Sequence, residues 1–117
     1  MKTPAVIDAL AALAHEYRLA IYRLLVQCGP AGLAAGVIGV RVGLQPSTLT
    51  FHLQALHRAA LITQRRESRQ LIYAADYAAM NGLVGYLTDN CCTEERVGGC
   101  PAPGARASKV ARRRRAA

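Results

Sequence analysis

The chain has 117 residues, 52% of them apolar, enough for one small domain with a real core and too few for several. Its formal net charge of +8 points to an anionic partner, most often nucleic acid. No apolar run approaches the ~18 residues of a membrane span, and Val6 to Ala14 is interrupted by Asp8 and has no cleavage pattern. A soluble, cytoplasmic protein is therefore expected. Thiols stay reduced in that compartment, so four cysteines suggest metal or redox chemistry rather than a disulfide framework. Part of the charge is local: without Arg112 to Arg115 the net charge falls from +8 to +4.

Thr3-Pro4 reads as a helix start, a capping hydroxyl followed by proline. Leu10, Leu13, Ala14, Tyr17, Ile21, Leu24, Leu25 and Cys28 then recur in steps of three and four, one face of a helix or of two in succession. On that stripe Cys28 is expected in the core, as a small hydrophobe. Gly29-Pro30 ends the run. A short helix is expected over Ala34 to Val42, where Gly36 and Gly39 allow close packing, then a turn at Gly43-Leu44. Pro46 opens another helix reaching about Ala59, with Leu49, Leu53 and Leu56 as its buried stripe. Two short helices around a glycine turn form a helix-turn-helix. Leu61 to Arg66 and Arg69 to Tyr73, around Glu67-Ser68, read as a β-hairpin. Asp76 can cap a last helix running to about Asn90. The expected fold is mainly α with a small β-hairpin, a winged helix-turn-helix. Residues 1–92 form the domain and 93–117 a flexible basic arm carrying Cys100.

The helix opening at Pro46 turns Ser47, Thr48, Thr50, Phe51 and Gln54 away from its leucine stripe. Short hydroxyl and amide side chains near such an N-terminus suit major-groove edges, and the terminus itself suits a phosphate. Gln45, just before it, and His52, within it, join the candidate DNA-binding residues. His52 also reads as a packed histidine. Arg65, Arg66 and Arg69 cluster where a wing meets backbone phosphate or the minor groove. His15, His52 and His57 lack the companions a metal site needs and are expected to be structural.

Ala14-His15-Glu16-Tyr17-Arg18-Leu19-Ala20-Ile21-Tyr22-Arg23-Leu24-Leu25 resembles the dimer-side helix of the ArsR/SmtB family. Leu49-Thr50-Phe51-His52-Leu53-Gln54-Ala55-Leu56 resembles that family's recognition helix, followed by a wing. The resemblance covers residues 5 to about 90. It implies a homodimer built through the first and last helices, with two recognition helices on a palindromic operator in double-stranded DNA. Two departures stand out. Ala60 and Ser68 occupy positions where the family usually has glycine, and a left-handed alanine costs ~1 kcal/mol.

The family's Cys-x-Cys metalloid site has no counterpart here, since Gly36-Val37-Ile38-Gly39-Val40-Arg41 holds no thiol. Its zinc site is incomplete, because no histidine follows His57. What remains is Cys91, Cys92 and Cys100. Eight residues span up to ~28 Å when extended, so Cys100 can reach the pair in its own subunit or across a dimer. Three thiolates suit a soft three-coordinate centre, whereas structural zinc wants four ligands. The resemblance extends to members that sense arsenite through C-terminal cysteines. The inducer is thus expected to be As(III) or Sb(III), bound by Cys91, Cys92 and Cys100, with no organic cofactor. Persulfide or redox signals and lead, cadmium or Cu(I) remain alternatives. No nucleophile paired with a base, phosphate loop or acid pair suggests an enzyme. An arsenic-transfer chaperone would not need a recognition helix, nor an architectural DNA protein the cysteines. The Arg112 to Arg115 run is either a DNA contact or a solvated tail.

Overall fold

The computed structural model describes residues 1–94. Its elements, in order, are α1 (Thr3–Leu13), α2 (Glu16–Cys28), β1 (Leu33–Ala34), α3 (Ala35–Val42), α4 (Pro46–Arg58), β2 (Ile62–Glu67), β3 (Gln70–Ala75) and α5 (Tyr77–Thr88). The first apolar stretch is two helices. The break comes at His15, whose extended backbone and ring Nδ1, accepting from the Tyr17 N–H at 3.2 Å, start α2. Lys2, rather than Thr3, is the N-cap of α1. Thr3 lies in the first turn, and its hydroxyl sits 2.6 Å from the Tyr86 hydroxyl of α5.

α1 buries a face offset from the expected stripe, whereas α2 follows it at Ile21 and Leu25. In α1 the buried residues are Val6, Ala9 and Ala12, leaving Leu10 exposed; in α2 they are Ile21, Tyr22 and Leu25. The small alanines bring α1 close to the core, whose fully buried large side chains are Ile21, Leu25, Ile38, Leu53, Leu56 and Leu61. Cys28 is exposed, not buried as expected. It is the last residue of α2, where its thiol donates to the Gly32 carbonyl at 3.6 Å.

The hairpin acquires a third strand. β3 pairs antiparallel with both β2 and the two-residue β1, giving the order β1-β3-β2, with Leu33 opposite Tyr73 and Ile62 opposite Ala75. Gly32 makes β1 possible: its φ is +72°, and a Cβ there would strike the Tyr73 carbonyl. Gly39 lets the helix-turn-helix close, since an added Cβ would lie 3.1 Å from the Leu44 carbonyl oxygen and 3.3 Å from a Leu49 methyl. At the far end of the sheet, Asp76 caps α5 by accepting from the Ala79 N–H at 3.0 Å. The Tyr77 hydroxyl donates to the Val26 carbonyl at 2.9 Å, satisfying an acceptor near the end of α2. The compact unit is Met1–Leu87, and a second unit begins at Thr88. Among the described residues no helix is long and apolar enough to cross a membrane.

Candidate nucleic-acid interface

α3 ends at Gly43 in the left-handed conformation, and Gln45 enters α4 with extended backbone and no side-chain cap. The N–H groups of the first turn of α4 are therefore available to an external acceptor, and a helix N-terminus favours an anion. Buried Leu49, His52, Leu53 and Leu56 seat the helix on the core. Gln45, Ser47, Thr48, Thr50, Phe51 and Gln54 are all exposed, as expected for a groove-reading face. Arg58, not singled out from the sequence, is exposed one turn beyond Gln54.

His52 departs from that face. Only 5% exposed, it is a packed histidine and does not join the DNA-reading side chains. Its Nδ1 accepts from Arg18 Nε at 3.1 Å, and its ring lies 4.6 Å from that of His15. Burial first, then the charges of His15 and Arg18, lowers its pKa below the usual histidine value. The Arg18 guanidinium carbon also stands 5.5 Å from the centre of the exposed Phe51 ring. Arg18 of α2 thus braces α4 from behind. Sequence spacing gave no sign of this contact, since the partners are 34 residues apart.

In the wing, Ser68 turns the chain with φ +56°, and Arg65, Arg66 and Arg69 are all exposed. Arg65 is held within the protein: Nε pairs with Glu67 at 2.6 Å and Nη2 donates to the Ala31 carbonyl at 2.6 Å. It therefore stiffens the base of the wing. Arg66 and Arg69 are the wing cations nearer the tip.

α5 ends at Thr88, two residues short of the expected Asn90, so Cys91 and Cys92 lie in turns beyond it. The Cys91 N–H donates to Thr88 O at 3.1 Å, and the Thr93 N–H to Asn90 O at 3.2 Å. Asn90 and Cys92 are left-handed, with φ +58° and +59°. Leaving the helix brings the two sulfurs within 3.4 Å of each other, both exposed. Cys92 is disulfide-bonded. Cys100 and Arg112 to Arg115 lie outside the described residues. Among the described residues no group of three or more His, Cys, Asp or Glu could hold a metal ion.

Residues 13–65 match the family described as a helix-turn-helix domain. The nodulation protein NolR of Rhizobium meliloti is 32% identical over 80 residues, which cover 68% of this chain and 63% of that relative's length. The structure of HlyU from Vibrio cholerae superposes with a TM-score of 0.62 at 26% identity, over 79% of this chain and 99% of HlyU. A homodimeric winged helix-turn-helix DNA-binding domain from Mycobacterium bovis, a possible ArsR-family transcriptional regulator, gives a TM-score of 0.59 at 29% identity, over 83% and 89%. A helix-turn-helix followed by an antiparallel wing defines a winged-helix protein. In sequence and fold the chain is similar to the ArsR family of winged-helix transcriptional regulators. That family regulates transcription and is not one of enzymes.

Proposed function

We propose that this chain is a homodimeric operator-binding repressor, released from DNA when As(III) or Sb(III) binds Cys91, Cys92 and Cys100. The observation that carries the DNA reading is the exposed Ser47, Thr50, Phe51 and Gln54 face beneath an uncapped helix N-terminus, beside a wing bearing Arg66 and Arg69. Support for the dimer comes from apolar side chains that α1 and α5 leave in water: Ile7 is 57% and Leu87 59% exposed, with Leu10 and Val84 also exposed. A second copy covering them would set the spacing of two α4 helices on a two-fold symmetric site.

The sulfur pair supports the signal reading. Each reduced thiol displaces a hydroxide from the trivalent metalloid, its proton leaving with that hydroxide as water, and the metalloid makes up to three bonds to sulfur. Cys100 supplies the third in this proposal. Capture just past α5 would bias that helix and hence the dimer; couplings of this kind are typically ~1–3 kcal/mol. The closeness of the Cys91 and Cys92 sulfurs, 3.4 Å, also favours a second reading, in which oxidation of the same thiols is the signal.

The test is fluorescence anisotropy of a labelled duplex from upstream of the protein's own gene, with reduced protein titrated by arsenite and, in parallel, by zinc. Release by stoichiometric arsenite alone, lost in Cys91→Ser, Cys92→Ser and Cys100→Ser variants that still bind DNA, is the expected result. Tight binding indifferent to arsenite but lost on peroxide or persulfide treatment selects the redox reading. A normal arsenite response in Cys100→Ser would leave a two-thiol site.

A further inference from the structure

At 100° per residue, Ser47, Phe51, Gln54 and Arg58 of α4 fall within ~60° of one another, on the side opposite Leu56. Phe51 thus lies on a polar and basic face, between Ser47 and Gln54 along the helix, and it is the only phenylalanine in the chain. It is 57% exposed. An isolated exposed apolar side chain is ordinary; this one is held in place. The Arg18 guanidinium stands 5.5 Å from the ring centre, while the neighbouring His52 ring meets it edge-on at 5.4 Å. Arg18 is itself fixed by the 3.1 Å hydrogen bond to His52 Nδ1. A cation and a buried imidazole thus restrict Phe51 before any partner arrives.

A phenyl ring has no donor or acceptor for base edges or phosphate. On DNA its apolar counterpart in the major groove is the 5-methyl group of thymine. Resting on the reading that α4 enters the major groove, we propose that Phe51 is a specificity-determining residue that reads a thymine methyl in each half-site. Arg18 acts as its positioning residue. Ser47 and Gln54, one turn to either side, supply polar contacts that fix the register around it.

The probe is a duplex enriched from a random pool by the reduced full-length chain. Each thymine is then replaced in turn by deoxyuracil, which removes the methyl and keeps the pairing. Burying one carbon is worth ~0.8 kcal/mol, about fourfold in affinity. The expected result is a fourfold loss for the wild-type chain at one symmetry-related thymine per half-site. Phe51→Ala should bind the thymine and deoxyuracil duplexes equally at that position. Arg18→Lys should shrink the penalty there while leaving deoxyuracil effects elsewhere unchanged, which a general loss of folding would not do. A scan without any methyl-sensitive position, or a penalty that survives in Phe51→Ala, overturns the proposal alone. A pool that yields no enriched duplex overturns the DNA-binding reading and this proposal with it. The thermal melt of Phe51→Ala should match wild type, since Phe51 is outside the core.

Discussion

α4 and α5 are helices of similar length, thirteen and twelve residues, with opposite relations to their own chain. α4 buries four side chains, Leu49, His52, Leu53 and Leu56, and shows water a face of mostly polar residues. α5 buries only Leu83 and leaves Val84, Tyr86 and Leu87 exposed. The attitude of α4 is thus set inside one subunit, by core packing and by Arg18 from behind. Among the described residues, the outer face of α5 is left exposed. Under the proposed function this division makes sense: the reading head would stay rigid, and the element that a bound signal must move would be the one with least hold on its own core.

The largest test of that contrast is a pair of substitutions. Leu56→Ala empties a fully buried site in α4 and should cost ~2–5 kcal/mol in denaturant unfolding. Leu87→Asp puts a charge on the exposed face of α5. It should leave secondary structure intact, shift sedimentation from dimer to monomer, and make the melting temperature independent of protein concentration. Equal destabilisation by the two changes, or an unchanged dimer in Leu87→Asp, would remove the distinction drawn between the helices.

Acid should act on the α4 side first. Burial first, then the electrostatic influence of His15 and Arg18, lowers the folded-state pKa of His52 below the unfolded value of 6.5. Asp8 and Arg58 line the same surface dip as Arg18, completing the charged surroundings of this brace. A depressed histidine pKa means the unfolded chain binds the extra proton more readily. The stabilisation is present above about pH 6.5 and is lost as pH falls through the folded pKa. Melting temperature should therefore drop on acidification, and His52→Gln, which keeps an acceptor but cannot titrate, should flatten that part of the profile. An unchanged profile in His52→Gln would show that the stability loss belongs to other groups.

What was legible in the sequence follows the same line. Leucine periodicity placed α4 to within a residue, and glycine placed the turn at Gly43, because both signals are local. The left-handed geometry suspected for Ala60 and Ser68 is present, at φ +61° and +56°. What escaped depended on partners distant in sequence. β1 is two residues long and exists through pairing with β3. His52 sits at the edge of the leucine stripe, and only Arg18 and His15 from the start of α2 decide that it points inward. Arg65 is one of three similar arginines until Ala31 and Glu67 engage it. Cys28 fits the apolar spacing of α2, but as the last residue it lies past the packed part of the helix. The sulfur pair was legible as chemistry and not as geometry, since adjacent cysteines diverge on a helix and converge here because α5 stops at Thr88.

The smallest expected effect concerns the exit of α4. The Ala60 N–H donates to the His57 carbonyl and the Leu61 N–H to the Leu56 carbonyl, so the left-handed residue between them closes the helix and aims Leu61 into the core. A side chain at that φ costs ~1 kcal/mol, which glycine removes; glycine also raises the entropy of the unfolded chain, which offsets part of the gain. Ala60→Gly should therefore stabilise the protein by about 0.5 kcal/mol in denaturant unfolding. Because the strain lies at the end of α4 and not under its reading face, DNA affinity and the deoxyuracil profile should stay as they are. A stabilised variant with altered affinity would mean that the exit turn, and not the buried stripe with its Arg18 brace, sets how α4 meets the groove.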